Sequence, residues 1–227
     1  MNESLSAMEG GPKAKTKPYR HVPRYGEEEL EELREALQQG TLFYAQGAKV
    51  KALEEAFATH VGAKHAIACS SGTAAIHSAL IAAGVSPGDE VITSPITDMG
   101  SVIPILYQGG VPVFADLDPA TATLEPEAVA SAMTDRTRAV LAVHLAGNAC
   151  DLDGLMAVCA ERGVMLIEDC AQAMGCTYGG RSVGVHGSIG CFSLNEFKHI
   201  SCGDGGMVVT DDAALAGLLR LEAERDF

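Results

Sequence analysis

Positively charged residues are scarce in this chain of 227 residues. It has 16 lysines and arginines against 30 aspartates and glutamates, which gives a formal net charge of −14. A surface this acidic repels the phosphate backbone of nucleic acids, so we expect no nucleic-acid partner. Long apolar runs are also absent. None approaches the roughly 20 residues that cross a bilayer, and we expect no membrane partner.

Paired cysteine motifs are lacking, although the chain has seven cysteines. No two of them form a C-x-x-C pair, and most lie in apolar runs, which is typical of a reduced, cytoplasmic chain with buried thiols. His144, His186 and His199 stand apart from one another. A zinc site needs clustered cysteine and histidine at short spacings, so the sequence predicts no metal.

The N-terminus has no apolar segment of the kind that secretory signals contain. Small and charged residues predominate in residues 1–18, which we predict to be a disordered leader. The remainder, residues 19–227, is long enough for one sizeable domain.

Short apolar segments alternate with helical patterns along the rest of the chain. Helices are predicted at 27–39, 49–60, 73–83, 100–107, 126–132, 152–162 and 211–224, and strands at 66–70, 90–94, 111–117, 139–145, 164–169, 189–193 and 206–210. Apolar strands between helices indicate an α/β fold, with a mostly parallel sheet and helices on both faces. Ligands bind beyond the carboxyl ends of such strands, so the residues that follow each strand are the candidates for chemistry.

A turn of small residues, 70–75, follows the first predicted strand. Gly72 lets the backbone approach a ligand closely. The helix that begins here presents free N–H groups and a positive dipole end, which suits a phosphate. The same residues fit an ordinary helix cap in which Ser71 or Thr73 bonds a backbone amide, and taken alone the turn favours that cap.

Asp169 ends an apolar strand, the usual place of a catalytic carboxylate in α/β folds. Burial of this charge is costly unless a positive group lies against it. A helix cap or a structural ion pair explains the residue equally well.

Lys198 lies between an apolar strand and the glycine-rich segment 203–206. In that place its amine is available to attack a carbonyl, although most lysines are simply solvated. The glycine-rich segment is also consistent with a plain hairpin turn. His144 ends another strand, where it lies either near the ligand or in the core, and a satisfied core histidine is slightly favoured.

Together and in this order, these segments resemble the DegT/StrS-type sugar aminotransferases. Those are pyridoxal 5′-phosphate (PLP) enzymes of the aspartate-aminotransferase fold, fold type I. The resemblance is carried by the segments 70–80, 88–95, 111–129, 142–155, 166–175 and 191–209. The last two, LIEDCAQAMG and CFSLNEFKHISCGDGGMVV, are the most specific. By this resemblance, residues 19–227 are the PLP-binding large domain.

The resemblance assigns roles to individual residues. Lys198 matches the lysine that holds PLP as a Schiff base and then moves the substrate's proton as acid and base. Asp169 matches the acid that pairs with the pyridine nitrogen, so that the ring acts as an electron sink. Gln172 matches the residue beside the ring hydroxyl. The phosphate is expected against Ser71, Gly72, Thr73 and Ser193.

The reaction implied by the resemblance is amino transfer from glutamate or glutamine to a nucleotide-linked keto sugar or to a keto-cyclitol. A related dehydratase branch has histidine in place of the lysine, so Lys198 favours amino transfer. A homodimer is also implied. The alternatives are a PLP-dependent sugar dehydratase and a truncated, non-catalytic PLP-binding module. A dinucleotide-binding domain is disfavoured, because no G-x-G-x-x-G follows the first strand.

The chain departs from the family pattern in two places. The segment 96–100 has no aromatic residue where the family usually stacks one on the cofactor ring, and Met99 is a candidate substitute. Family members continue past the position of Phe227 with a small C-terminal domain, and they build each active site between two subunits. We therefore expect this chain to end before that domain.

Overall fold

The computed structural model describes residues 5–18 and 23–225. These divide into two compact units, one up to Gly47 and one from Ala48 onward. The first unit contains a 3-10 turn, Ala7–Glu9, and helix α1, Glu27–Gln38. Residues 5–18 are exposed apart from Gly11. The disordered leader stays a prediction, and its residues 1–4 lie outside the described part.

Helix α1 begins in a run of three glutamates, which suits the positive end of the helix dipole. The backbone N–H of Gly26 donates to Oε2 of Glu29 at 2.6 Å, and this hydrogen bond lowers the pKa of the Glu29 carboxyl. The helix predicted at 27–39 is therefore confirmed to within one residue.

The second unit alternates strands and helices much as the sequence predicts. Its helices are α2 (Lys49–Val61), α3 (Gly72–Ala82), α4 (Met99–Tyr107), α5 (Pro126–Ala132), α6 (Leu152–Arg162) and α7 (Ala213–Arg225). Helix α7 begins two residues later than expected, because Oδ1 of Asp212 accepts the amides of Ala214 and Leu215 and so caps the helix.

The strands are β1 (His65–Cys69), β2 (Glu90–Thr93), β3 (Val111–Phe114), β4 (Thr137–Val143), β5 (Met165–Asp169), β6 (Thr177–Tyr178), β7 (Arg181–Ser182), β8 (Ile189–Ser193) and β9 (Gly206–Thr210). β3 stops three residues before the predicted end, because the chain turns there and Leu117 pairs with Leu124. The two-residue strands β6 and β7, which pair with each other, were not predicted.

One sheet of seven strands has the order β1-β9-β8-β5-β4-β2-β3. The pairs from β3 to β8 are parallel, and β9 runs antiparallel to both of its neighbours, β8 and β1. The expected α/β fold with a mostly parallel sheet is confirmed, with β9 as the exception. The parallel strands and β1 all have their carboxyl ends at one edge of the sheet.

The apolar core lies on both faces of this sheet. Along β4, Val140 and Ala142 join one buried cluster, while Ala139 and Leu141 join the other. This alternation follows from the two-residue period of a strand. Helices α2, α5 and α6 cover the first cluster, and α3 and α7 cover the second. Among the described residues, no helix combines the length and apolar character needed to cross a bilayer.

Candidate active site

The turn after β1 forms the N-terminus of α3. Oγ of Ser71 accepts the backbone N–H of Ala74 at 3.0 Å, so the cap interpretation of this serine is correct. Within the described residues, the amides of Gly72 and Thr73 donate to no protein acceptor. Two free N–H groups at the positive end of an 11-residue helix form a place where an anion is stabilised.

Gly72 is required by the close approach of α3 to β8. A Cβ atom at this position would lie 2.7 Å from Cβ of Ser193, a distance that real side chains do not reach. The two candidate phosphate contacts, the turn after β1 and Ser193 at the end of β8, are therefore held side by side by a glycine.

Replacing Gly72 with alanine is expected to lower the free energy of unfolding by about 1–3 kcal/mol, because the new methyl overpacks the contact with Ser193. Gly217→Ala is the matched control: a Cβ at Gly217, an exposed position in α7, meets no atom within 4 Å. That variant should gain up to about 1 kcal/mol from helix propensity. Urea unfolding measures both, and equal effects at the two positions would contradict the close approach.

Asp169 ends β5 and is 4% exposed. Its Oδ1 accepts the amide of Ala171 at 3.0 Å, and its Oδ2 accepts the hydroxyl of Ser101 at 2.7 Å. Burial raises the pKa of this carboxyl above its ordinary value, and the hydrogen bonds from Ser101 and Ala171 only partly oppose that rise. A cation placed against Asp169 would remove the cost of burying the charge.

Lys198 lies on the loop between β8 and β9. Its amide donates to the carbonyl of Asn195 at 2.8 Å, and the loop is closed by bonds from the amide of Leu194 to Gly205 and from that of Glu196 to Gly203, both 2.8 Å. The lysine is half-buried. The glycine-rich segment is thus both part of a hairpin connection and the support of the lysine loop.

Gln172 supports the loop that follows β4. Its Oε1 accepts the amide of Ala146 at 2.9 Å, and Ala146 has a φ of 52°, a left-handed conformation that alanine rarely adopts. Among the described residues the side-chain nitrogen of Gln172 meets no acceptor, so it remains available to a ligand.

All seven residues expected to hold the cofactor border one concavity of about 490 Å3, within the usual range for small-molecule sites. Eight further residues, for which the sequence predicted no site role, also line it. These are Ile76, Asp98, Gly100, Ser101, Ala171, Asn195, Phe197 and Asp204.

The segment without an aromatic residue contributes through Asp98 rather than Met99. Asp98 caps α4, with its Oδ1 accepting the amide of Gly100 at 2.7 Å, and it borders the concavity. Met99 is 57% exposed and is not among the residues that border it. The proposed substitution of Met99 for the missing aromatic has no support in this arrangement.

A buried polar cluster lies directly behind Asp169. Glu168 and His144 are both fully buried and bond through Oε2 and Nε2 at 3.0 Å. Nδ1 of His144 accepts the amide of Cys150 at 3.1 Å, so the proton of the ring is on Nε2. This confirms the interpretation of His144 as a satisfied core histidine.

Glu168 is stabilised as a carboxylate by this cluster. It also accepts backbone amides of Gly184 at 2.7 Å, His186 at 2.9 Å and Gly187 at 2.7 Å. Burial raises the pKa of Glu168, but the interactions with His144 and the hydrogen bonds from the amides of Gly184 and Gly187 outweigh burial and hold that pKa below the ordinary 4.5.

His144 and Glu168 also lie with Cys170 close enough to share a metal ion. The histidine and glutamate donor atoms are already used in hydrogen bonds, and burial raises the pKa of the Cys170 thiol well above its ordinary value. We interpret the group as hydrogen-bonded core, and the absence of a metal stays a prediction.

A family model described as the DegT/DnrJ/EryC1/StrS aminotransferase family matches residues 23–222. The chain belongs to this family. Membership in the DegT/DnrJ/EryC1/StrS family confirms the resemblance seen in the sequence, and it covers the strands and loops that build the concavity.

Several proteins are similar to this chain over nearly its whole length. Spore coat polysaccharide biosynthesis protein SpsC of Bacillus subtilis is 44% identical over 204 residues, 90% of this chain and 52% of that protein. The L-glutamine:scyllo-inosose aminotransferase of Streptomyces griseus is 38% identical over 221 residues, 95% of this chain and 52% of that protein.

The fold is shared with solved aminotransferase structures. The X-ray structure of the aminotransferase from Psychrobacter cryohalolentis matches with a TM-score of 0.84 at 38% identity, covering 91% of this chain and 52% of that one. The chain thus spans about half the length of the relatives it matches.

Proposed function

We propose that this chain is the cofactor-binding part of a PLP-dependent aminotransferase. The amino donor is glutamate or glutamine, and the acceptor is a keto sugar, nucleotide-linked or not, or a keto-cyclitol. The observation that carries the proposal is that an amine, a buried carboxylate and a helix N-terminus border one concavity. These groups match the aldehyde, the ring nitrogen and the phosphate of PLP.

The residues of the concavity fit this cofactor chemically. Of the described residues that border it, Lys198 alone carries an amine, which is the group that attaches to the aldehyde. Asp169 is buried with a raised pKa and without a full counter-charge, a deficit that a protonated ring nitrogen would supply. The free amides of Gly72 and Thr73 suit the phosphate.

PLP, when bound, supplies an electrophilic aldehyde and an electron-withdrawing ring. Asp169 would hold the proton on the ring nitrogen, since a carboxylate pairs better with the protonated form. Lys198 would hold the aldehyde, and its amine, when it is not attached there, would move a proton from and to the substrate as acid and base. Gln172 offers a donor to the ring hydroxyl and keeps the loop of Ala146 in place.

The acceptor class is supported by the polar groups around the concavity. Asp98, Asn195 and Asp204 border it together with the cofactor set, and carboxylate and amide oxygens accept hydrogen bonds from hydroxyl groups. A substrate rich in hydroxyls would satisfy them. The name of the Streptomyces griseus relative gives L-glutamine and scyllo-inosose as its substrates, which agrees with a glutamine donor and a cyclitol acceptor.

We also propose a homodimer and a cytoplasmic location for the whole protein. The support for the homodimer is the family resemblance. The support for the location is the pattern of buried thiols, five of which lie inside the fold: Cys69, Cys150, Cys159, Cys170 and Cys191.

The test is a visible absorption spectrum of the purified chain with added PLP, followed by borohydride reduction and peptide mapping. A yellow species that maps to Lys198 and is bleached by glutamate would support cofactor binding and a working first half of the reaction. A chain that takes up PLP but is not bleached would be a non-catalytic binding module. A chain that stays colourless would overturn the proposed site.

Asp169→Asn is expected to retain some PLP but to slow the reaction with glutamate by about 100-fold or more, the scale of losing one charge-stabilising group. In the cofactor-free chain it should not lower the free energy of unfolding, because burial already disfavours the charged carboxyl. Rapid-mixing absorbance and urea unfolding measure the two effects. Asp135→Asn, at an exposed position, is the control, and a near-normal rate in Asp169→Asn would make Asp169 structural only.

A further inference from the structure

The carboxylate of Asp169 is held by a pair of hydroxyl groups from the segment after β2. Oγ of Ser101 lies 2.7 Å from Oδ2 of Asp169, and Oγ1 of Thr97 lies 2.7 Å from Oγ of Ser101. Ser101 is 2% exposed. No site role for either residue follows from the cofactor set predicted from the sequence.

The direction of these hydrogen bonds is fixed by the charge of Asp169. An ionised carboxylate only accepts, so the Ser101 hydroxyl must donate its one proton to Oδ2. Its lone pairs then accept from Thr97. The amide of Ala171 holds Oδ1 on the other side. Both carboxylate oxygens are therefore oriented by the protein alone, and the two hydroxyls point their dipoles toward the negative charge.

We propose that Ser101 is a positioning residue of the candidate active site. Its hydroxyl, aligned by Thr97, keeps the Asp169 carboxylate ionised and fixed in orientation, so that it can hold a proton on the ring nitrogen of the cofactor. This inference rests on the proposed function for the identity of the cofactor, while the action of Ser101 on Asp169 rests on the geometry of the chain itself.

Besides the hydroxyl of Ser101, several charged and titratable groups act on Asp169. His144 and Lys198 both favour its ionised form. The buried thiols of Cys170 and Cys191 also lie close enough to interact electrostatically with Asp169, and Glu168 precedes Asp169 in β5. Among the influences that lower the pKa of Asp169, the Ser101 hydrogen bond is the largest, and it opposes the rise that burial causes. Removing the hydroxyl should therefore raise that pKa further.

The first experiment measures Asp169 in the cofactor-free chain. Aspartate labelled with 13C at Cγ gives a titration curve by NMR, and the Asp169 signal is the one missing in Asp169→Asn. In Ser101→Ala we expect the pKa of Asp169 to rise by about one unit or more, the scale of a hydrogen bond to a charged group. Ser101→Thr keeps the hydroxyl and should stay near the unchanged chain.

Ser78→Ala is the matched control. Ser78 lies in α3, is 1% exposed, and its Oγ has no partner among the described residues. The Ser78→Ala variant therefore removes a buried hydroxyl of the same kind without changing a contact of Asp169. If Ser101→Ala does not fold, Ser101→Cys replaces it, because a thiol is a weak donor of similar size and should also raise the pKa.

The second experiment uses the chain loaded with 15N-labelled PLP, in which the nitrogen shift reports ring protonation. In Ser101→Ala the ring nitrogen should lose its proton at a pH about one unit lower than in the unchanged chain, because the paired carboxylate is less stable as an anion. Ser101→Thr keeps the hydroxyl and should show the pH of the unchanged chain. A purely structural role of the serine would not predict that the hydroxyl alone decides this pH.

The outcomes separate this inference from the proposed function. If the pKa of Asp169 is the same in Ser101→Ala, or in Ser101→Cys, as in the unchanged chain, the proposed role of Ser101 is overturned. This holds whether or not the chain binds PLP. A shift in Asp169 together with failure of the unchanged chain to take up PLP would keep the effect on the carboxylate but overturn its assignment to a cofactor nitrogen.

Discussion

Lys198→Ala is expected to abolish covalent attachment of PLP. The alanine has no amine, and among the described residues around the concavity no other side chain offers one. The yellow absorption should disappear, and borohydride should no longer fix the cofactor to the chain. Noncovalent uptake should persist at reduced affinity, since the phosphate turn and Asp169 are unchanged.

The controls for this prediction separate charge from chemistry. Lys198→Arg keeps the positive charge, but a guanidinium stays protonated and does not attack an aldehyde, so attachment should fail there too. Lys51→Ala, at an exposed position in α2, should attach PLP normally. Borohydride-fixed cofactor in Lys198→Ala, traced to any other lysine by peptide mapping, would refute the assignment of Lys198.

Glu168→Gln is expected to lower the free energy of unfolding by about 1–3 kcal/mol for each buried donor that it leaves without an acceptor. Glutamine has the same shape but only one acceptor oxygen. Its NH2 group must face either the amides of His186 and Gly187 or the donors of His144 and Gly184. In both orientations a donor meets donors, and buried N–H groups lose their acceptor.

The pH dependence of the Glu168 effect has a definite sign. The pKa of Glu168 is lowered in the folded chain, so its contribution to stability is fully present above the ordinary value of 4.5 and is lost as the pH falls through the folded value. The difference between the unchanged chain and Glu168→Gln should be constant near neutrality and shrink below about pH 4.5.

Urea unfolding at several pH values measures this difference, with Glu161→Gln as control. Glu161 is exposed in α6, and its replacement should change stability by no more than about 0.5 kcal/mol. Equal stability of Glu168→Gln and Glu161→Gln at neutral pH would contradict the role of the buried cluster.

The sequence was sufficient for the features that depend on local pattern. Apolar segments of strand length gave the central strands, and the order of motifs placed Lys198 and Asp169 at the same edge of the sheet. Both predictions work because parallel strands end at one edge, whatever their order. The order itself was not predictable, since nothing local to residues 206–210 indicates that β9 inserts antiparallel between β8 and β1.

Ser101 and Glu168 were missed for a different physical reason. A serine in a helix is in itself no signal for a site. The contact of Ser101 with Asp169 depends on how α4 packs against the end of β5, and the two residues are 68 positions apart in the sequence. Glu168 is adjacent to Asp169, but neighbouring side chains of a strand point to opposite faces. A glutamate within the apolar run VMLIED was the available signal for a buried acid on the far face.

The place of β9 in the sheet has a consequence for the order in which the chain can fold during its synthesis. In the described sheet β1 is an edge strand and its single neighbour is β9. His65 therefore has no backbone partner in the sheet until Thr210 has been synthesised. Contacts across so long a stretch of chain form slowly, because loop closure must precede them. The turn that follows β1 therefore takes its final place only after residues 206–210 have left the ribosome, and until then the strand before it is an unpaired edge that chaperones or other nascent chains can meet.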